Sequence, residues 1–184
     1  MHATKLYHSV EGGLLFTKDP DLLKKLAFIR NFGISGYDSF SELGLNGKNS
    51  EFHAAMGLTN LKWVDRIIEK RRKLTARYEN KLKGFRAFRP LWHPHSENNG
   101  AYLPFILESE ELLLKVKTAL DNSEIFTRRY FYPSLSNCLP YLPTTLTTVS
   151  DNIAKRALCL PLYYDLTEEE VDWICRIILR IQNN

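Results

Sequence analysis

Apolar positions along the chain fall into two patterns. Short apolar runs bounded by turn residues predict strands at Gly13 to Thr17, Phe85 to Phe88, Ala101 to Leu107, Ile125 to Tyr130 and Cys159 to Tyr164. Pro104 has no N–H to give a ladder, so its strand is expected at a sheet edge. Apolar residues at helical spacing predict the other elements. Asp19-Pro20 offers an N-cap and a proline at the first helical position, Leu22, Leu23, Leu26 and Ile29 form one face, and Gly33 is the stop. Ser50 caps one long helix, or two with a bend, running through Phe52, Met56, Val64, Ile67, Leu74 and Tyr78 to Leu82, with Gly84 as the stop. Ser109 caps a helix through Leu120, and Ser150 caps one that runs into Leu158. Thr167 and Glu170 have capping-box spacing ahead of a last helix that buries Val171, Ile174, Ile177 and Ile178.

Two segments lack either pattern. Residues 34–49 are rich in Gly, Ser and Asn, and residues 132–147 contain Pro133, Pro140 and Pro143. Both are expected to be loops. The element order β-α-loop-long α-β-β-α-β-α-β-α implies a small α/β domain after the long helix. No internal repeat or low-complexity segment interrupts it.

Composition narrows the class. The chain has 184 residues, 44% hydrophobic and 25% charged, which is the balance of a folded domain with a real core. Its formal net charge is +4, with basic and acidic residues interleaved. Lys70-Arg71-Arg72-Lys73 lies in a helical pattern and reads as a solvated face, so no nucleic-acid partner is expected. Cys138, Cys159 and Cys175 show no CxxC spacing, so neither a zinc site nor a disulfide framework is expected, and a reducing cytoplasm is the default. His93 and His95 have no further ligands at metal-site spacing. The N-terminus carries no signal-peptide core, and no apolar run is long enough to span a bilayer. The sequence therefore predicts a cytoplasmic protein without a membrane or metal partner.

Four segments, in order, carry candidate chemistry. His2-Ala3-Thr4-Lys5 is followed by Glu11-Gly12-Gly13. Asn46-Gly47-Lys48-Asn49-Ser50-Glu51 precedes Ala54-Ala55-Met56-Gly57-Leu58. Arg128-Arg129-Tyr130-Phe131-Tyr132-Pro133-Ser134-Leu135 follows a predicted strand. Cys159-Leu160-Pro161-Leu162-Tyr163 precedes Leu166-Thr167-Glu168-Glu169-Glu170. Read without a family, Lys5 is a solvated lysine near a chain end, Asn46-Gly47 is a turn, and arginines and tyrosine at a strand end are as often structural as functional. Taken together, the four segments resemble the DegT/DnrJ/EryC1/StrS family of aminotransferases over nearly the whole chain. These are enzymes of fold type I that depend on pyridoxal 5'-phosphate (PLP) and act mostly on nucleotide-linked keto sugars.

The resemblance implies an α/β fold, the C-terminal portion of a PLP-dependent transferase of fold type I, with a long linking helix and a small α/β domain. Residues 1–60 would be a remnant of the large PLP-binding domain, and residues 61–184 the long helix plus the small domain. Lys5 would be the catalytic lysine that links to the cofactor aldehyde. Such a lysine must at some point be a neutral amine, which burial and nearby positive charge favour. Freed from that link, the amine is placed to move a proton between cofactor and substrate carbons. Asn46 would reach across a homodimer interface to the neighbour's cofactor phosphate, as an amide donor in a Gly-flanked loop can. Lys48 stands where many relatives have arginine, which gives up the bidentate fork but keeps a point charge. Arg128, Arg129 and Tyr130 would face the nucleotide sugar. The implied reaction moves an amino group, from glutamate as the expected donor, to a keto-deoxysugar nucleotide, with a lean toward amino sugars for surface polysaccharide. The acidic partner of the pyridine nitrogen, the ring stacked on the cofactor and most of the phosphate cup would precede Lys5 in a complete member, so little turnover is expected from this sequence alone. The competing expectation is a non-catalytic dimerisation or partner-binding domain, or a nonfunctional remnant of such an enzyme.

Overall fold

The computed structural model describes residues 1–182. The chain forms two compact units, Met1–Asp65 and Arg66–Asn184.

The first unit is built on two short helices. In α1 (Pro20–Arg30) the Asp19 carboxylate accepts from the backbone N–H groups of Asp21 and Leu22 at 2.9 and 3.2 Å. Those two donors have no partner inside the helix, which is why an aspartate followed by proline starts it. At the other end the Gly33 N–H donates to Phe28 O at 2.8 Å with φ +76°, a left-handed position that glycine adopts without strain. Gly33 then crosses Gly44 at close range, and a Cβ on Gly44 would fall 1.9 Å from Gly33 N. This crossing organises the expected loop, which holds a small antiparallel hairpin, β1 (Ile34–Gly36) and β2 (Ser39–Phe40). Helix α2 (Glu51–Leu61) starts as expected at Ser50, whose hydroxyl accepts from His53 N–H.

The strand expected at residues 13–17 does not form. The segment has no regular structure, and Leu15 and Phe16 are 76% and 88% exposed. A strand needs a neighbouring backbone for its N–H and C=O groups, and no described residue pairs with this one. In the whole first unit only Ser9, Gly33 and Gly57 are buried.

The second unit has a closed core. Helix α3 (Val64–Lys81) buries Leu74 and Tyr78 and is separated from α2 by a turn at Lys62-Trp63, so the long apolar pattern is two helices. Strands β3 (Ala87–Phe88), β4 (Pro104–Leu107) and β5 (Ala157–Cys159) make an antiparallel sheet in the order β3-β4-β5. Helix α4 (Glu110–Asp121) follows β4, α5 (Thr148–Arg156) leads into β5, and α6 (Glu168–Gln182) closes the chain. Leu74, Tyr78, Leu103, Leu113, Val116, Leu120, Leu158, Val171 and Ile178 form the interior. Each such aliphatic side chain contributes about 1.5–3 kcal/mol on burial. Arg77 of α3 pairs with Asp172 and Glu168 of α6, and Lys81 joins Asp172 at 2.8 Å, so charge ties together the helices whose apolar faces meet in the core.

Three further expectations are corrected here. Pro104 is in the central strand, not an edge strand. It is the first residue of β4 and pairs only with Cys159 of β5, while β3 faces Ile106 and Leu107, so its missing N–H interrupts neither ladder. Residues 125–130 form no strand but a single bridge, Arg128 opposite Cys159. The three residues of β5 leave that segment little to pair with. Helix α5 starts at Thr148 with Thr147 as N-cap, before Ser150. Its start is held by Asp151, whose carboxylate accepts from Thr147 N–H at 3.1 Å.

Candidate active site

Lys5 lies in an exposed turn closed by its own N–H donating to His2 O at 3.0 Å. His2 shapes that turn through Thr4, 3.0 Å from its Nδ1, and faces Glu11 at 3.3 Å through Nε2. The residues just after the turn are seated on α2. The Asn60 amide donates to His8 O at 2.9 Å, and the Tyr7 hydroxyl donates to Gly57 O at 3.4 Å. Gly57 makes this seating possible, because a Cβ there would meet Ser9 Cβ and Tyr7 Oη at 3.3 Å, tighter than ordinary contact. Sequence reasoning quoted Gly57 as part of a motif without a reason; the reason is this close approach of Ser9 to a helix.

Asn46 is exposed in a loop docked along the end of α1. Leu45 N–H donates to Ile29 O at 2.9 Å, Gly47 N–H to Arg30 O at 2.8 Å, and Asn46 bridges Asn31. The Lys48 ammonium lies 4.7 Å from the Phe32 ring centroid, a cation–π distance. The first unit therefore presents Lys5 on one pinned turn and Asn46 on another.

Arg128, Arg129 and Tyr130 belong to the second unit and differ in what they can do. Arg129 is 16% exposed, pairs with Glu110 at 2.8 Å, donates to Lys155 O at 2.9 Å, and stacks 3.6 Å over the Tyr132 ring centroid. Its Nη2 is engaged at the start of α4 and the end of α5, while its buried Nε has no hydrogen-bond partner among the described residues. Arg128 is exposed, with its guanidinium 5.8 Å from the Tyr130 ring. Tyr130 sits edge-on to Tyr102, with ring centroids 5.2 Å apart.

The following loop is fixed from the other side by a cluster that sequence reasoning missed. Asp151 Oδ1 accepts from Ser136 at 2.9 Å, Asn137 at 2.7 Å and Thr147 Oγ1 at 3.1 Å, and Ser134 joins through Ser136 at 2.9 Å. Desolvation pushes the Asp151 carboxyl up, but the Ser136 and Ser134 hydroxyls, the Thr147 N–H and the Asn137 amide outweigh it and hold the pKa at about 2. A polar residue spaced four beyond Thr147 was the available signal. Behind the loop, burial pushes the Cys159 thiol up to about 11, so it stays protonated at neutral pH.

A three-stranded antiparallel sheet layered with helices in one unit, and a lysine turn seated on a helix in the other, make this a mixed α/β chain. The DegT/DnrJ/EryC1/StrS aminotransferase family model matches residues 1–179, and the chain belongs to that family. It is 31% identical over 188 residues to dTDP-4-amino-4,6-dideoxy-D-glucose transaminase of Shigella dysenteriae, covering 98% of this chain and 51% of that protein. It is 27% identical to GDP-perosamine synthase of Vibrio cholerae, over 95% of this chain and 49% of that one. Among solved structures, DesI in the presence of its TDP-sugar product superposes with a TM-score of 0.82 at 28% identity, covering 98% of this chain and 48% of DesI. The chain thus spans about half the length of the curated relatives it matches. No helix among the described residues is long and apolar enough to cross a membrane.

Proposed function

We propose that this chain carries the cofactor lysine and the small domain of a nucleotide-sugar aminotransferase, which moves an amino group from an amino acid, glutamate in this reading, to a keto-deoxysugar nucleotide. The observation that carries the reading is the Lys5 turn, held against α2 through Gly57 and Asn60 in a chain of this family. The donors on the first unit fit the cofactor chemically: an amine for its aldehyde, and an amide and an ammonium for its phosphate. When bound, PLP supplies the electron sink for the carbon that gains or loses nitrogen. Lys5 Nζ would hold the aldehyde and move the proton at that carbon. Asn46 would donate to the phosphate held by a second copy in a homodimer, with Lys48 adding a point charge. Arg128 would take pyrophosphate and Tyr130 a sugar hydroxyl, while Arg129 holds their loop in place.

In this reading residues 1–60 are part of a larger cofactor domain. The closed core of the second unit favours a second reading, a stable domain for dimerisation or partner binding without cofactor chemistry.

Borohydride reduction after mixing with PLP separates the two. Mass mapping should place the modification at Lys5, with loss in Lys5→Ala. Labelling spread evenly over surface lysines would leave only the second reading.

A further inference from the structure

The second unit holds an open pocket of about 430 Å³ between the residues that end α4 and the start of α6. Three aromatic side chains line it, Phe126, Tyr163 and Trp173, and the buried Leu166 and Ile174 join it to the core. Phe126 is 77% exposed, Tyr163 46% and Trp173 45%, so these rings are not filling the interior. Phe126 stands between the buried Ile125 and Thr127, and that alternation turns its ring outward.

The charged side chains that line this pocket are both carboxylates, Glu124 and Glu170. Glu124 follows α4 with φ +59°; its N–H donates to Asp121 O at 3.0 Å, and the next N–H, of Ile125, donates to Leu120 O at 2.9 Å. The backbone that carries this carboxylate is therefore held in place. Glu170 accepts from the Thr167 N–H and hydroxyl at 2.7 and 3.0 Å, both through Oε2. These bonds, the backbone one first, lower its pKa, so it is ionised at neutral pH. Burial, then Glu170 and Asp165, push the Tyr163 phenol up, so its ring stays neutral beside negative charge. Arg176 lies one turn further along α6 and is not part of the lining. An aromatic wall edged by carboxylates attracts a cation twice, through the ring faces and through charge.

A small ammonium ion would leave most of the exposed ring surface in water, whereas a cation carried on a peptide brings apolar flanks that cover it. A guanidinium also stacks flat on a ring and offers a carboxylate a fork of donors, which an ammonium does not. We infer that this pocket is a docking site for an arginine side chain presented by an extended segment of a partner protein, held by ring stacking and by Glu124 and Glu170. No residue of the pocket enters the cofactor chemistry, so the inference goes beyond the aminotransferase reading and does not depend on it.

The test follows the indole N–H signals of Trp63, Trp92 and Trp173 by NMR, with the Trp173 signal assigned through Trp173→Phe. The full chain is titrated with a blocked Gly-Leu-Arg-Leu-Gly peptide and with the same peptide carrying citrulline, the uncharged analogue, in place of arginine. A saturable shift of the Trp173 signal is expected with the arginine peptide, while Trp63 and Trp92 stay in place. The citrulline peptide should bind more weakly, and Glu124→Gln should weaken the arginine peptide about two- to five-fold, the scale of one exposed cation contact. Phe126→Leu should act in the same direction. Unmoved Trp63 and Trp92 signals in either variant report that its fold is retained. Absence of a saturable Trp173 shift overturns the site, as do equal binding of the two peptides, equal shifts at all three indoles, or affinity unchanged by both variants. A Trp173 shift that appears on concentrating the chain without peptide also overturns it, because the occupant is then a second copy.

Discussion

Tyr78 shows how a single residue can sit in the core at a cost. It is 0% exposed, and its hydroxyl has no hydrogen-bond partner among the described residues. Burial, the largest influence, pushes its phenol far above the usual range. An unpaired buried hydroxyl costs about 1–3 kcal/mol, whereas its ring contributes packing. Tyr78→Phe is therefore expected to leave thermal stability unchanged or raise it, by up to about 1 kcal/mol. A fall in melting temperature would show that the hydroxyl has a partner after all. The helical pattern made Tyr78 legible as an inward residue of the long helix. The lack of a partner was not legible, because it depends on what α6 and the segment at Tyr163 bring against it. The same limit applies to the contacts of Arg129, which depend on where the fold places Glu110, Lys155 and Tyr132.

Among the elements, helix starts were legible where a cap stands next to its own helix. Asp19, Ser50, Ser109 and the Thr167–Glu170 box lie where their sequence patterns put them. The strands at residues 13–17 and 125–130 were misread, because an apolar run reveals burial preference but not whether a partner strand exists. The start of α5 was misread because its key group, Asp151, works from inside the first turn. That carboxylate has a consequence for acid stability. Its folded pKa of about 2 lies below the ordinary 3.8, so its contribution is complete above pH 3.8 and is lost as pH falls toward 2. Asp172, held low by Arg77 first and Lys81 second, has the same sign. Acid titration followed by circular dichroism should show unfolding that steepens below pH 3.8, and Asp151→Asn should flatten the part of the slope between 3.8 and 2. An unchanged slope would show that the cluster around Asp151 does not form in solution.

For the molecule as a whole, the contrast between the two units dominates. The second has a continuous apolar interior; the first buries only Ser9, Gly33 and Gly57 while leaving Leu14, Leu15 and Phe16 exposed. Protection against amide exchange tracks buried apolar contact. Amides of α1 and α2 are expected to exchange at least about a hundred-fold faster than those of α4 and α6 in the isolated chain. Equal protection in the two units would mean that the first is covered in solution. Family-level motifs made the fold class legible, since they rest on local residue order. The second unit's grouping of Trp92, Tyr102, Tyr130 and Phe131 was not, because these rings lie far apart in the sequence.

The three cysteines differ sharply in chemical accessibility. Cys159 and Cys175 are buried, with thiols pushed by burial up to about 11 and 12, while Cys138 is exposed in the proline-rich loop. A maleimide dye or spin label applied to the unmodified protein would therefore attach at Cys138, placing a reporter on the loop that follows Arg128–Tyr132 without engineering a single residue.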